Sequence, residues 1–416
     1  MKIEILDAMM GSGKTTAIIN WINKHPEKRY IYISPLLSEV GEGGRVQQES
    51  KHVKFCCPSD ADGSKSEDLL LLLQSGENIA CTHSLYRKMT HEHLDVISKV
   101  GYTLIIDEEL GVIEGFSDYA QTDIQWLIQM GVLSICESDG KIVWCEQKAD
   151  ETMEESHKYA RLKNMCDVEM LYAAKRTNAM ITTQLPTRLI DVCERVIVLT
   201  YMFKGNVLDC FLRLKGFDVV EFTEVNDDLR KVDGDLIRSL ITITPIPKKF
   251  TLCNKLSSTW YDKASSADLK KVENAIRSIA VSWGVSGENL MYTFPKDRSI
   301  KSDKRTVKIK PRGFIEVKQK IDGVTITKPL WLASSIRATN DYAHVNHCIH
   351  AYRRYPLTAV DSYLKDYGYP INVSVFALSE LLQWVWRTSI RNEEPIKVCI
   401  LSDYMLELFQ EWLQSL

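Results

Sequence analysis

The chain has 416 residues, of which 45% are hydrophobic and 26% are charged, with a formal net charge of −3. This length exceeds the usual size of one hydrophobic core and suits two domains of about 200 residues each. The sequence contains no apolar run of about 18 residues or more, so a membrane span is not expected. The small net charge neither requires nor excludes nucleic acid, because such binding depends on local basic patches.

Two features predict a cytoplasmic protein. The first seven residues, MKIEILD, lack the basic region and the long apolar region of a signal peptide. The eleven cysteines include no CxxC pair, which indicates free thiols in a reducing compartment. We interpret the adjacent Cys56 and Cys57 as buried or half-buried thiols rather than metal ligands.

The first 110 residues alternate strand-like and helix-like patterns, which favours a parallel sheet covered by helices. The predicted elements are strands at Ile3–Leu6, Tyr30–Ser34, Asn78–Thr82 and Tyr102–Asp107 and helices at Thr15–Lys24 and Glu67–Gln74. Residues 110–190 then predict a mainly helical insertion, and the apolar run Val196–Thr200 predicts a further strand.

The alternation continues less regularly in the second half of the chain. The predicted elements there are strands at Leu236–Thr244, Asn289–Thr293 and Ile396–Leu401 and helices at Phe376–Arg391 and Tyr404–Leu413. We place the domain boundary near residue 205, which divides the chain into 1–205 and 206–416.

The segment Ala8–Thr15, AMMGSGKT, fits the pattern [AG]xxxxGK[ST] and lies between a predicted strand and a predicted helix. The two glycines let backbone N–H groups turn towards phosphate oxygens, and the start of the helix adds its positive end. Lys14 supplies a positive charge for the β- and γ-phosphates, and the Thr15 hydroxyl can bind Mg²⁺. The segment therefore predicts a site for ATP and Mg²⁺, formed by Gly11, Ser12, Gly13, Lys14, Thr15 and Thr16.

An acidic pair ends the buried strand predicted at Tyr102–Asp107. We expect Asp107 to hold Mg²⁺ through water, and Glu108 to orient or deprotonate the attacking water. An acid directly after the metal-binding aspartate favours hydrolysis over phosphoryl transfer to a small molecule. The pair therefore predicts an ATP hydrolase in which Lys14 and Glu108 are catalytic.

The phosphate loop and the segment IIDEEL at 105–110 resemble motifs I and II of the superfamily 2 (DExD/H-like) helicases, in particular the compact helicases encoded by tailed bacteriophages. The resemblance extends over nearly the whole chain. It implies an α/β fold of two tandem RecA-like domains, each with a parallel sheet flanked by helices. The first, at 1–205, would bind ATP and carry the insertion, and the second, at 206–416, would carry the arginine-finger helix.

Several further segments resemble helicase motifs that contact the nucleic-acid backbone. SPLL at 34–37 lies where motif Ia is expected, CTHSL at 81–85 lies where motif Ib is expected, and SSIRATN at 334–340 resembles motif V. VLTYMF at 198–203 resembles a variant of motif III, in which Thr200 would couple hydrolysis to strand movement. The resemblance implies nucleic-acid contacts from Ser34, Pro35, Thr82, His83, Arg337, Thr339 and Asn340.

The segment QWVWRTSIR at 383–391 resembles motif VI. On a helix, Gln383, Arg387 and Arg391 share one face. In a tandem-domain ATPase, an arginine on such a face stabilises transition-state charge at the γ-phosphate. The family spaces its second arginine seven residues after the glutamine, whereas Arg391 lies eight residues after Gln383. The finger is therefore Arg391 or Arg387, of which we favour Arg391, and a solvated polar stripe is the alternative.

A basic segment at 296–320 contains ten basic and three acidic residues. Its proline and glycine suit a loop or hairpin on a phosphate backbone, with Lys304 and Arg305 as candidate contacts. The alternative is a solubilising loop that has no partner.

Two groups of side chains admit a ligand-binding interpretation that we do not favour. Trp331, Trp384 and Trp386 are able to stack on bases, but core packing is expected for at least two of them. The histidines at 344, 347 and 350 are interpreted as one face of a helix rather than as a metal site.

Together these patterns predict a nucleic-acid-dependent ATPase of the helicase type, which acts on DNA in preference to RNA in phage DNA metabolism. We expect a monomer or weak oligomer without a membrane partner, working beside replication or recombination proteins in the host cytoplasm. The alternatives are a packaging motor of the terminase type and a P-loop nucleotide kinase. The second half lacks the clustered aspartates of a terminase nuclease, and a kinase does not need the pair Asp107–Glu108.

Overall fold

The computed structural model describes residues 1–61, 63–108, 110–152, 156–176, 181–295, 309–321, 324–334 and 341–416. The chain divides into two compact units. The first comprises Met1–Arg230 and Pro356–Asn372, and the second comprises Lys231–Tyr355 and Val373–Leu416. Within the described ranges, no helix combines the length and the apolar character that a membrane crossing requires.

The strands of the described ranges are, in chain order, β1 (Lys2–Asp7), β2 (Arg29–Ser34), β3 (Phe55–Cys56), β4 (Asn78–Thr82), β5 (Tyr102–Asp107), β6 (Ile113–Gly115), β7 (Leu133–Ile135), β8 (Ile142–Trp144), β9 (Leu171–Ala173), β10 (Ile181–Gln184), β11 (Arg195–Thr200), β12 (Asp218–Glu221), β13 (Ile241–Ile243), β14 (Leu290–Thr293), β15 (Glu316–Ile321), β16 (Val324–Pro329), β17 (His347–His350) and β18 (Ile396–Ile400).

The α-helices of the same ranges are α1 (Lys14–Lys24), α2 (Leu37–Val40), α3 (Arg45–Glu49), α4 (Lys65–Gln74), α5 (His83–Tyr86), α6 (His91–Val100), α7 (Gln121–Gln129), α8 (Glu146–Thr152), α9 (Ala160–Asp167), α10 (Arg188–Asp191), α11 (Val207–Leu214), α12 (Gly234–Leu240), α13 (Ser258–Lys263), α14 (Ser266–Trp283), α15 (Thr358–Asp366), α16 (Val373–Val385) and α17 (Asp403–Ser415). Short 3₁₀ helices lie at Ser156–Tyr159, Asn226–Asp228, Gly287–Asn289 and Ser389–Asn392.

The first unit is built on a sheet with the strand order β12-β1-β11-β5-β2-β4-β3, in which all neighbouring strands are parallel. Its inner strands are apolar runs, as expected where helices cover both faces, and β5 is buried along its whole length. Helix α1 buries Ile18, Ile19 and Ile22, the residues that gave its sequence a helical spacing. The predicted α/β class with parallel strands is confirmed.

The first unit extends beyond residue 205, where we placed the boundary. Helix α11 and strand β12 follow β11, and β12 pairs in parallel with β1 between Lys2 and Ile5. Strand β12 has four residues, none of them fully buried, so its sequence carries only a weak strand pattern. The sheet therefore ends with an element that the predicted boundary assigned to the second domain.

The segment Pro356–Asn372 also belongs to the first unit, although it follows most of the second in sequence. Its helix α15 lies beside the insertion, where the Tyr363 hydroxyl donates to the Asp139 carbonyl at 2.7 Å. Arg176 forms an ion pair with Asp366 at 2.7 Å between Nε and Oδ1. A discontinuous unit of this kind has no signature in local composition.

Residues 110–190 combine α7 to α10 with short strands. Strands β6, β10 and β9 form an antiparallel sheet, and β7 and β8 form a hairpin. These strands have three or four residues, too few to show the alternation that identifies a strand, and the prediction of a mainly helical insertion did not include them. The segment has its own core, which includes Ile124, Leu127, Leu162 and Leu171.

The second unit is built on a parallel sheet in the order β13-β18-β17-β14, to which the antiparallel hairpin β15–β16 is added. Helix α14 contributes Leu269, Val272, Ile276 and Ile279 to its core at helical spacing. Strands β14 and β18 and helix α17 lie where the sequence predicts them.

The strand predicted at Leu236–Thr244 and the helix face predicted for the histidines are both wrong. The range Leu236–Thr244 is not one strand, because α12 occupies most of it and only its end forms β13. The Asp233 carboxylate accepts a hydrogen bond from the Leu236 N–H at 3.0 Å, and this cap stabilises the helix. The histidines at 347 and 350 belong to β17, so they do not form a helix face.

His350 gives a testable pH dependence. Burial, followed by the charge of Arg354, lowers the pKa of its imidazole from 6.5 to about 3. The unfolded chain then takes up a proton that the folded chain does not, so stability falls by about 2 kcal/mol between about pH 7.5 and pH 5. We expect His350→Leu to remove this loss, as measured by hydrogen exchange of the β17 amides across that pH range.

The exposed His344 provides the control, because His344→Leu is expected to keep the pH sensitivity of the unchanged protein. An equal loss of β17 protection in His350→Leu and in the unchanged protein would contradict the prediction.

Candidate functional site

The loop between β1 and α1 has the geometry of a phosphate-binding loop. Gly11 and Gly13 have φ angles of 79° and 81°, in the left-handed region that strains residues with a Cβ atom. Space is not the reason at Gly13, since a Cβ atom there would have no neighbour within 4 Å. Gly13 is also the N-cap of α1, and the Ser12 N–H donates to the Met9 carbonyl at 3.2 Å.

Lys14 begins α1, and its ammonium group closes the loop. The Nζ atom donates to the Ala8 carbonyl at 2.6 Å and to the Met9 carbonyl at 3.1 Å. Burial lowers the pKa of Lys14 to about 8, and the charges of Asp107, Asp7 and Glu108 oppose that effect. A half-buried ammonium group bonded only to neutral carbonyls in this loop is well suited to an anionic ligand such as a phosphate.

Asp107 ends β5 and meets the phosphate loop. Its Oδ2 atom accepts a hydrogen bond from the Thr15 hydroxyl at 3.1 Å and from the Tyr32 hydroxyl at 2.8 Å. Burial raises the pKa of Asp107 to about 6, and the bonds from Tyr32 and Thr15 oppose that rise. The structure therefore brings together Thr15 and Asp107, and a hydroxyl beside a carboxylate is a set of oxygen ligands that suits Mg²⁺.

Glu108 follows Asp107 with a φ angle of 64°, in the left-handed region that non-glycine residues rarely occupy. Such a conformation costs on the order of 1–3 kcal/mol and is found most often at functional sites. Here it ends the strand directly after the buried aspartate and leaves Glu108 half-buried. Glu109, the next acidic residue, lies outside the described residues.

Asp7 joins the phosphate loop to the turn that resembles motif III. It pairs in register with Thr200 on β11, and its Oδ2 atom accepts from the Phe203 N–H at 3.0 Å. The Ala8 N–H donates to the Thr200 carbonyl at 3.1 Å. Burial raises the pKa of Asp7, and bonds from the backbone at Phe203 and Met202 oppose it. Thr200 is therefore attached to the loop through main-chain and carboxylate contacts.

Four of the residues predicted to contact a nucleic-acid strand lie at the ends of β2 and β4. Ser34 and Thr82 are partners in register on these parallel strands. Both hydroxyls have local roles, since Ser34 accepts from the Leu36 N–H and Thr82 accepts from the Leu85 N–H, each at 3.3 Å. Pro35 and His83 follow them as half-buried residues. Contact with nucleic acid stays a prediction for all four.

Three residues of the site were not identified from the sequence. Asp7 and Tyr32 are described above, and Arg45 donates from Nη2 to the Thr16 hydroxyl at 2.5 Å and from Nε to Glu49 at 2.9 Å. Asp7 had a usable signal, because it is an acidic residue that directly follows the apolar pair Ile5–Leu6 and directly precedes the phosphate loop. Tyr32 and Arg45 had none, since only the fold brings them to the loop.

The predicted helix over Phe376–Arg391 is too long. Helix α16 ends at Val385, where the Thr388 hydroxyl donates to the Val385 carbonyl at 2.7 Å, and a turn follows. Gln383 is on the helix, Arg387 is buried in the turn, and Arg391 is exposed in the 3₁₀ helix that comes next. The three side chains therefore do not share one helical face, and the argument from spacing is wrong.

Other predicted residues of the second unit fall partly outside the description. Arg337, Thr339, Asn340, Lys304 and Arg305 all lie outside the described residues. The described end of the basic segment forms part of the hairpin β15–β16. Trp384 and Trp386 are buried, as core packing predicted, whereas Trp331 is half-buried and donates from Nε1 to the Phe294 carbonyl at 2.9 Å.

Comparison with known proteins finds a similarity over the C-terminal part of the chain. Residues 235–413 match the family described as the YonV C-terminal Rossmann-like domain. The chain is also 26% identical over 426 residues to the SPbeta prophage-derived uncharacterized protein YonV of Bacillus subtilis (strain 168), with 100% of this chain and 99% of the relative covered. The Rossmann-like description agrees with the parallel sheet of the second unit.

Among solved structures, Xpd4 of S. tokodaii aligns with 99% of this chain and 94% of its own, at 12% identity and a TM-score of 0.43. A similarity of this strength supports no conclusion about fold or activity.

The raised pKa of Asp107 predicts a stability change in Asp107→Asn. With chelator present, ionisation of the buried Asp107 lowers the free energy of unfolding of the unchanged protein as the pH rises through about 6. The asparagine variant has no such loss, because asparagine does not ionise. The variant is therefore expected to gain on the order of 2 kcal/mol relative to the unchanged protein between about pH 4.5 and pH 7. Thermal unfolding in EDTA measures the difference. A stability difference between the variant and the unchanged protein that stays constant or decreases with rising pH would show that burial does not penalise this charge.

Proposed function

We propose that this chain is a nucleic-acid-dependent ATPase of the helicase type that requires Mg²⁺. The observation that carries the proposal is the 3.1 Å hydrogen bond between Thr15 and Asp107, residues 92 positions apart in sequence. A glycine-rich loop, its lysine and its threonine supply the parts of a phosphate site, and a strand-end carboxylate against that threonine supplies the partner that a metal–phosphate site needs.

The proposal gives a role to each principal residue of the candidate site in the first unit. Lys14 would exchange its carbonyl acceptors for the β- and γ-phosphate oxygens. Thr15 and Asp107 would hold Mg²⁺, which would neutralise charge on the phosphates. Glu108 orients the attacking water and accepts its proton. The Thr200 turn, attached to the loop through Asp7, passes a change at the nucleotide to the neighbouring strand ends.

The proposal of a nucleic-acid partner is supported by the residues at the carboxyl ends of the β-strands. Ser34, Pro35, Thr82 and His83 lie at that edge of the first sheet, where ligands of open α/β sheets bind. The basic segment 296–320 adds positive charge for a phosphate backbone. The prophage origin in the relative's name is consistent with a role in phage DNA metabolism, and DNA is the partner we favour.

The proposal predicts that Lys14→Ala and Glu108→Gln each lower nucleic-acid-stimulated ATP hydrolysis at least about 100-fold, because each removes a group that acts in the transition state. Phosphate release, measured with single- and double-stranded DNA and RNA, tests this. Lys24→Ala, at an exposed position at the other end of α1, is the matched control and is expected to keep the rate.

Two results would contradict the proposal. Hydrolysis that no nucleic acid stimulates would exclude the helicase class, and phosphorylated product from added nucleosides would indicate a kinase instead.

Substitutions of the two arginines of the motif VI segment, Arg387 and Arg391, are expected to have different effects on stability and on hydrolysis. Arg387 is 8% exposed, so Arg387→Ala should lower the free energy of unfolding by on the order of 3 kcal/mol. Arg391 is exposed, so Arg391→Ala should change the free energy of unfolding by less than about 0.5 kcal/mol. The resemblance to motif VI makes Arg391 the favoured finger, so the same change should lower hydrolysis about 100-fold or more. Urea unfolding and phosphate release on both variants test this. Full activity in Arg391→Ala would remove Arg391 as the finger.

A further inference from the structure

Tyr32 makes an unusual contact for a buried strand residue. It lies in the interior of β2, is 0% exposed, and is paired in register with Ile105, two residues before the end of β5. Its hydroxyl donates to Asp107 Oδ2 at 2.8 Å. Because Ile105 and Asp107 point to the same face of the sheet, the phenol reaches the carboxylate across that face.

A buried tyrosine hydroxyl requires a partner, but that partner is usually neutral. Tyr30 illustrates the usual case two residues earlier on the same strand. It is also 0% exposed, and its hydroxyl donates to the His25 carbonyl at 2.8 Å. Tyr32 donates instead to an ionisable group, and a hydrogen bond to a carboxylate is about twice as strong as one between neutral groups.

Both hydroxyls at Asp107 point to the same oxygen. Oδ2 accepts from Thr15 as well as from Tyr32, so the orientation of the carboxyl plane is fixed by two bonds. The torsion that turns this plane is otherwise broad and two-fold. A metal ion held by the Thr15 oxygen would use a lone pair of that oxygen, so this hydroxyl would serve both the ion and Asp107. The Tyr32 bond comes from a fully buried side chain of the neighbouring strand and acts on Asp107 alone.

We propose that Tyr32 is a positioning residue that holds Asp107 in the orientation required to bind Mg²⁺ with nucleotide. The inference rests on the proposed function, because it assigns Asp107 to the metal. Tyr32 does not touch the nucleotide. Tyr32 therefore affects nucleotide binding only in the presence of the metal ion, as expected of a residue that hydrogen-bonds to a metal ligand and orients it.

The test is Tyr32→Phe, which removes one oxygen atom and keeps the ring. Binding of a fluorescent ADP analogue is measured with Mg²⁺ and with EDTA, and Mn²⁺ binding to the same complex is measured by electron paramagnetic resonance. We expect Mn²⁺ affinity to fall about 10-fold or more, because residues of this kind typically contribute 10- to 100-fold to metal affinity. Affinity for the analogue in EDTA is expected to stay unchanged.

Tyr30→Phe is the matched control, since it removes the same atom from an equally buried tyrosine of the same strand. It is expected to keep both affinities. A double-variant comparison then separates positioning from a general loss of structure. In the Asp107→Asn background, adding Tyr32→Phe should have no further effect on Mn²⁺ binding.

Three outcomes decide the inference. Unchanged Mn²⁺ affinity in Tyr32→Phe overturns it. A loss of equal size in EDTA and in Mg²⁺, or a loss that persists in the Asp107→Asn background, also overturns it, because either result indicates a structural role alone. If the unchanged protein binds the analogue without any effect of Mg²⁺ or Mn²⁺, the proposed function itself fails at its metal site, which is a distinguishable result.

Discussion

The site depends on how one ionisable carboxyl group is accommodated at the edge of the sheet. Asp107 is buried, and removing a carboxylate from water is costly unless hydrogen bonds compensate. Thr15 and Tyr32 supply two of them, one from the first turn of α1 and one from β2. A single acid on β5 therefore connects the start of α1 with β2, and the same group is the proposed ligand of a divalent cation.

Parallel topology explains why residues distant in sequence lie together. Asp7 is in register with Thr200, and Asp107 is in register with Leu199, so three strand ends lie side by side. Because parallel strands all end at the same edge, the strand order in the first unit creates a row of polar groups there. The phosphate loop, the motif III-like turn and the acidic pair are neighbours in that row for this reason alone.

Much of the first sheet could be predicted from sequence, because most of its inner strands are apolar runs of five or six residues. The segments between several of them show apolar residues at helical spacing. The loop at Gly11 to Thr15 could also be predicted, since its residue types are dictated by backbone geometry and by phosphate. Tyr32 could not, because its role comes from the pairing of β2 with β5 rather than from its neighbours in sequence. The end of α16 was missed because a turn that keeps apolar residues buried preserves the pattern of a helix past Val385.

The discontinuous first unit has a consequence for how the protein is made. The chain crosses between the units three times, after Arg230, Tyr355 and Asn372. Helix α15 leaves the ribosome long after the insertion that it covers, with most of the second unit synthesised in between. The first unit therefore completes its packing only late in translation, and a cut after Arg230 separates it from its own helix α15. Although each unit is compact by itself, the first unit can be completed only after most of the second unit has been synthesised.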